Sequence, residues 1–202
     1  MFYDTETNAH GMSHDPFKAI VAPRPIGWIG TRGRDGSINL SPYSFFNIVS
    51  DTPKIIMFSS TGRKDSLRNA EETGVFTASL ASRHLAEAVN ASSVTVPYGT
   101  DEFALAGVTP APGTLVDAPY VAEAYTALEC RVTEILQPHT LKGGKAPSYM
   151  VFGEVVGIHI REEVIRDGRI DMALLRPIAR MGYRDFSDGG AEVFELTRPS
   201  GS

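Results

Sequence analysis

The sequence predicts a mainly β protein, a β-barrel with a few short helices packed outside it. Three observations predict this class. Thirteen prolines and nineteen glycines cut the 202 residues into short segments, which favours many short strands over long helices. Residues 125–136 (YTALECRVTEIL) alternate with period two, as a half-buried strand does. Residues 149–160 (YMVFGEVVGIHI) are apolar on both faces and carry Gly153 and Gly157 inside the run. A long strand that glycines allow to bend or bulge is what a closing barrel needs.

Taken in order, residues 19–31 (AIVAPRPIGWIGT) read as a strand broken by Pro23 and Pro25. Asp35-Gly36 makes a tight turn, and Ser37 to Leu40 returns as the second arm of a hairpin. Residues 54–58 (KIIMF) form a short apolar run suited to a buried strand, which ends in the hydroxyls at 59–61. A helix starts near Asp65 or Ser66, both good N-caps, and stops at Gly74. Residues 74–80 alternate, with Phe76, Ala78 and Leu80 on one face. Residues 82–90 form a second helix with Leu85 and Val89 together. In the strand 125–136, Leu128, Cys130, Val132 and Leu136 share a face, while Glu129, Arg131 and Thr133 form a wet side. A third short helix covers 171–175, ended by Pro177. The polar, Gly/Ser-rich tail 184–202 is loose or docked on a partner. No repeat or composition break marks a second domain, so 1–202 reads as one domain with its core at about 15–186.

Composition narrows the function classes. A net charge of −5 and a pI near 5.5 argue against a nucleic-acid or anionic-membrane binder, leaving room only for a local basic patch. The single cysteine, Cys130, forms no internal disulfide and is expected to pack as a small hydrophobe, which fits a reducing cytoplasm. Residues 1–15 carry no signal sequence, and no run approaches the ~20 apolar residues of a membrane span. Gly27, Gly30 and Gly33 are spaced GxxGxxG rather than as a dinucleotide fingerprint. Gly143-Gly144-Lys145 is followed by Ala-Pro and is no phosphate loop. The five histidines show no zinc spacing, so no metal is expected. His159, on the long strand, reads as a partly buried histidine.

Three stretches concentrate chemistry. In 54–72 (KIIMFSSTGRKDSLRNAEE), Ser59, Ser60 and Thr61 are followed by Gly62, Arg63 and Lys64, and Asp65-Ser66 open a helix. Hydroxyls, turn amides, two cations and a helix N-terminus suit a phosphate dianion, with Lys64 as point charge and Ser66 as donor. The same residues also make an ordinary capped strand-to-helix loop. In 39–47 (NLSPYSFFN), backbone groups lie beside aromatics, as a flat heterocycle requires; a proline turn over core aromatics reads equally from this pattern. In 24–31, Arg24 between two prolines is an aimed cation or a surface arginine, Trp28 is a packing anchor, and the stretch ends at Thr31.

The order APRPIGWIGT, NLSPYSFFN, PKIIMFSSTGRKDSLRN, GVFTASLAS closely resembles the flavin reductase-like, FMN-binding split-barrel family, in the branch that includes flavoredoxins. GEVVGIHI, DGRID and RPIARMGY extend the resemblance over roughly residues 15–186. It implies a split barrel, usually a homodimer, with one FMN per subunit near the dimer interface. Asn39, Ser41, Pro42, Tyr43, Ser44 and Phe45 match the isoalloxazine and ribityl stretch, and Ser59, Ser60 and Thr61 the next contact strand. Lys64, Asp65 and Ser66 match the phosphate site, with Asp65 capping the helix. Arg180 and Tyr183 match an Arg…Tyr element near the flavin, although Gly182 here runs straight into Tyr183 where the family often has a second glycine. Arg24 and Thr31 complete the expected contacts.

The implied activity is an FMN-dependent oxidoreductase, a flavin reductase taking hydride from NADH or NADPH. A non-enzymatic electron carrier reduced by a redox protein partner is the alternative, and oxidation of a small substrate such as pyridoxamine phosphate a third reading. With no separate nicotinamide domain, the loop 137–148 is the candidate docking element for the nucleotide, with His139, Lys142 and Lys145; a plain hairpin tip reads as well.

Overall fold

The computed structural model describes residues 1–199. One helical turn, α1 (Phe17–Ile20), precedes a run of strands: β1 (Arg24–Pro25), β2 (Gly27–Arg32), β3 (Ile38–Tyr43), β4 (Phe46–Ser50) and β5 (Ile55–Thr61). Helix α2 (Asp65–Thr73) leads to β6 (Val75–Leu80), a 3-10 turn at Arg83–Leu85, α3 (Ala86–Ala91) and α4 (Glu102–Ala106). The second half holds β7 (Pro110–Pro112), β8 (Pro119–Val121), the long pair β9 (Thr126–Leu136) and β10 (Ser148–Ile160), and the short β11 (Ile165–Arg166) and β12 (Arg169–Ile170). Helix α5 (Met172–Leu175), β13 (Ile178–Arg180) and β14 (Phe186–Asp188) follow.

Seven strands form one antiparallel sheet in the order β3-β2-β6-β9-β10-β5-β4. Its outermost strands, β3 and β4, are joined only by Ser44 and Phe45, so the sheet curls into the expected split barrel. Two register shifts sit in the long pair, between Phe152 and Gly153 and between Val155 and Gly157. Both expected glycines therefore mark bulges. At Gly153 a Cβ would stand 2.4 Å from the Phe76 ring, so only glycine lets that ring close over the strand.

Strand β2 buries both faces, and this splits the apolar interior in two. Trp28 packs with Leu40, Val89, Phe103 and Val121 beneath α3 and α4, and its indole N–H donates to Ser92 Oγ (2.8 Å). Ile29 packs with Phe58, Phe76, Cys130 and Val151 inside the barrel, where Leu67 and Ala70 of α2 close one end. Cys130 is fully buried, and burial pushes its thiol well above the ordinary value.

The hairpin through Asp35-Gly36, α2 up to Gly74, and the helices near 82–90 and 171–175 stand where expected. Several expectations are corrected. Residues 17–20 are helical rather than the start of a strand, with the Phe17 N–H donated to Asp15 Oδ1 (2.8 Å). Strand β5, by contrast, runs into the hydroxyls and ends at Thr61 as expected. The cap position of α2 is Lys64, and no side chain caps it; Asp65 is the first helical residue. The tail is docked in part on its own chain, as β14 pairs with β13 and Asp188 binds Arg176.

Glu129, expected on the wet face, is 1% exposed. Its carboxylate accepts the backbone N–H groups of Thr114 (2.7 Å), Leu115 (2.6 Å) and Val116 (2.9 Å) and lies 2.6 Å from His159 Nε2. His159 is partly buried, as expected, and stacks on Tyr120. The same strand exposes Leu136 because Thr133 is the extra residue at the first bulge, which turns Ile135 inward instead.

Burial alone would raise the Glu129 carboxyl; its hydrogen bonds outweigh this and hold it below the ordinary range. A carboxyl depressed in the folded state adds stability above its unfolded pKa of about 4.3, lost as the pH falls through the lower folded value. Glu129→Gln should therefore destabilise the protein by about 1–3 kcal/mol at pH 7. Urea denaturation from pH 7 to pH 3 should show the gap to wild type closing only below about pH 4.3.

Candidate functional site

Where the barrel edges meet, a cavity of about 560 Å3 opens, a size common for small-molecule sites. Ser41, Pro42 and Tyr43 of β3, the link Ser44–Phe45, Ser59 and Thr61 of β5, and Lys64 form one wall. Arg24 of β1, Arg180 of β13, Met181 and Tyr183 form the opposite one. An adjoining cavity of about 140 Å3 shares Ser41, Tyr43 and Lys64 and is lined in addition by Asn39, Asp65, Ser66 and Glu102. The structure thus brings most of the expected contacts to one place.

Two expected contacts lie behind the walls. Thr31, fully buried, accepts from Asn39 Nδ2 (3.3 Å) and Asn69 Nδ2 (3.1 Å), and Asn39 Nδ2 also donates to Ser66 Oγ (2.8 Å). Thr31 therefore orients the amides that flank the α2 N-terminus. Ser60 is fully buried, with its hydroxyl donated to Gly62 O (3.0 Å), which sets the turn before Lys64.

Arg24 is a fixed cation at the cavity rather than a surface arginine. Its guanidinium is buried and donates to the carbonyls of Lys18 and Val21 and to Met181 O (2.7 Å). It ties α1 and the 181–183 turn to the cavity rim. Burial first, and then the like charge of Arg180, lower its pKa from the ordinary value. Arg180 lies across from it in the β1–β13 pairing, donates to Tyr183 O, and has its guanidinium 4.5 Å over the Phe186 ring.

Cations dominate the rim: Lys18, Arg24, Lys64 and Arg180 face one carboxylate, Asp15, in the larger cavity. An anionic ligand fits that balance. Between the two cavities the Tyr43 hydroxyl is buried and unpartnered, and burial pushes its pKa up. Glu102, which accepts the Leu40 N–H (3.2 Å), is likewise pushed up by burial.

Sequence reasoning missed the N-terminal contribution of His14, Asp15, Phe17 and Lys18, and also Ser93 and the following residues up to Val96. Nothing local in the polar N-terminal stretch marks it as a wall; its placement depends on Arg24. The loop 137–148 is a hairpin tip with a His139–Lys145 bridge and Lys142 paired with Glu6, and none of its residues lines the cavity. Among the described residues, no cluster of His, Cys, Asp and Glu could hold a metal, and no helix is long and apolar enough to cross a membrane.

The model of the flavin reductase like domain matches residues 21–175. The chain belongs to the flavin reductase-like family. This flavin reductase-like chain is 35% identical over 186 residues to an uncharacterized protein of Halalkalibacterium halodurans, covering 89% of this chain and 88% of that protein. It superposes on nitrilotriacetate monooxygenase component B from Bacillus cereus with a TM-score of 0.87 at 28% identity, covering 97% of this chain and 98% of that one. Flavoredoxin of Desulfovibrio vulgaris matches with a TM-score of 0.75 at 26% identity over 89% and 91% of the two chains.

Removing the Arg24 side chain leaves three part-buried carbonyls unpaired. Arg24→Ala should cost about 1–3 kcal/mol of stability. Hydrogen exchange should speed up at the amides of residues 17–21 and leave those of β9 and β10 unchanged.

Proposed function

We propose that this chain binds FMN in the larger cavity and acts as an FMN-dependent oxidoreductase, a flavin reductase that uses NADH or NADPH. One observation carries the reading: segments far apart in sequence, 41–45, 59–64 and 180–183, converge on one cation-rimmed cavity. Its size, its four cations and the unpartnered Tyr43 hydroxyl suit a phosphorylated ring system. When bound, FMN supplies the hydride-accepting chemistry; the protein supplies binding, orientation and electrostatics.

Lys64 has no ion-pair partner among the described residues, which leaves its charge for a phosphate. Ser66 and Asn39, already hydrogen-bonded to each other, support it from the adjoining cavity at the start of α2. Peptide groups and apolar surface of Ser41–Phe45 suit the flat ring, with Ser59 and Thr61 on the next strand. Arg180 and Tyr183 border its exposed side. Arg24 holds the rim that excludes water.

The second copy of a homodimer would cover β4, an unpaired sheet edge beside the cavity. Its Ile48 and Val49 are 69% and 48% exposed, a pattern that invites pairing. Light scattering should give twice the 21.9 kDa chain mass; a monomer would remove the second subunit from the site.

The purified protein should be yellow and release FMN on denaturation. Anaerobic NADH or NADPH should bleach the flavin within the mixing time of a stopped-flow experiment. Bleaching only by a reduced protein donor would instead favour the electron-carrier reading, which the likeness to flavoredoxin supports. Lys64→Ala should weaken FMN binding about ten- to hundredfold, as expected for one charge-assisted contact. Riboflavin affinity and the far-ultraviolet circular dichroism should stay unchanged. Equal FMN affinity in the variant would remove Lys64 from the phosphate site.

A further inference from the structure

One ionisable side chain in the smaller cavity has no part in the flavin contacts above. Glu102, the first residue of α4, lines that cavity with Tyr43, Lys64, Asp65 and Ser66, and it is 5% exposed. Its Oε2 accepts the Leu40 N–H at 3.2 Å, the long end for such a bond. Only its own backbone N–H otherwise approaches the carboxyl. No cation pairs with it among the described residues.

Glu129 shows what a buried carboxylate needs in this fold. It gathers three backbone N–H groups and His159, and its carboxyl is held low. Glu102 lacks that support. Burial, and then the like charges of Asp65 and Asp101, push its carboxyl up, and the N–H groups offset this only in part. Strand β3 faces it with the Leu40 N–H, Asn39 and the Tyr43 hydroxyl, and α2 with Lys64 at its cap, Asp65 and Ser66. Its own helix adds Asp101 at the cap. The segment 93–96 adds hydroxyls and no charge, and the acid of α3, Glu87, lines a different hollow.

A phosphate dianion drawn in by Lys64 and Ser66 would therefore meet two acids. Asp65 is half-buried and keeps its contact with water. Glu102 is enclosed, so as a carboxylate it would repel the dianion with little screening. Protonated, the same carboxyl presents an O–H donor. The Tyr43 hydroxyl, more than nine-tenths buried and unpartnered, offers a second donor from β3. We infer that Glu102 is a phosphate-contacting residue that works as a neutral acid: its O–H donates to a phosphate oxygen of the bound ligand, and binding takes up one proton from solvent. This rests on the reading of the larger cavity as a flavin site with its phosphate end at Lys64.

Binding then favours protonated Glu102 and raises its pKa further. Affinity for FMN is greatest below the pKa of the free protein. It falls as the pH rises above that value, by up to about tenfold per pH unit for one proton. Riboflavin, which has no phosphate, escapes this loss, so the preference for FMN over riboflavin fades with rising pH.

The test titrates the flavin-free full chain with FMN and with riboflavin by calorimetry at pH 7 and pH 8.5. An alkyl phosphate has lost its second proton by then, at about pH 6. Glu102→Gln keeps an acceptor for the Leu40 N–H and a neutral donor. Wild type should bind FMN about tenfold more weakly at the higher pH and riboflavin equally at both. The variant should bind FMN equally at both. Heats in two buffers of different ionisation enthalpy should show proton uptake with FMN in wild type and its loss in the variant. Wild type and variant that follow pH in parallel, with equal proton uptake, would overturn the role of Glu102 and leave the flavin reading intact. If the variant does not fold, phosphorus magnetic resonance of FMN bound to wild type decides. A dianion throughout, with a proton taken up, supports Glu102, and a proton on the phosphate overturns it. Protein that takes up neither flavin would sink the flavin reading and this role together.

Discussion

Two residues, Ser44 and Phe45, connect the outermost strands of a seven-stranded sheet, and the rest of the molecule follows from that short link. Laid flat, those strands would stand about 29 Å apart at the usual strand spacing. The chain from the end of β3 to the start of β4 spans about 11 Å at most. The sheet must curl, and the bulges at Gly153 and Gly157 supply bends where the longest strands need them. Curling brings the link after β3 against β5, where the Ser59 N–H donates to Phe45 O (2.8 Å). The cavity lies at that junction, so it is a product of closure rather than an addition to it.

Polar groups buried by this closure are held in a few concentrated places. Thr31, Asn39, Asn69 and Ser66 form a chain of side-chain hydrogen bonds behind the α2 N-terminus, which fixes the orientation of the amides nearest Lys64. Glu129 performs a comparable task at another place, gathering three consecutive backbone N–H groups of 114–116 and His159. A buried carboxylate is tolerated there because it is nearly saturated with donors. The first network serves the proposed ligand; the second fastens the loop before β8 to the sheet.

Local signals carried much of this architecture. Asp35-Gly36, Gly74 after a helical stretch, and Asp171 before one each act within a few residues, and the structure follows them. The motif order also led to the walls of the cavity. What escaped was set by distant contacts. Strand β4 was hidden by NLSPYSFFN, in which it begins, because the aromatics that suit a flat ligand equally suit an edge strand, and Phe46 is packed against the barrel interior. Glu129 looked solvated because its partners lie on a loop about fifteen residues upstream. Helix α4 was legible but passed over: Asp101 caps it by accepting the Ala104 N–H, and Gly107 ends it in the left-handed conformation. The role of His14 to Lys18 could not be read locally, since it depends on Arg24 reaching Met181.

That last contact spans 157 residues and sits in the same β1–β13 pairing that sets Arg24 opposite Arg180. On a ribosome adding about 5–20 residues per second, the two sides of the rim emerge roughly eight to thirty seconds apart. The barrel strands up to β10 are all made before the far side exists. A nascent chain therefore holds a nearly finished barrel with a one-sided, open recess, and the recess becomes an enclosure only when the segment ending at Tyr183 arrives. A ligand bound in the proposed way would find both sides of its enclosure only after that segment has been made.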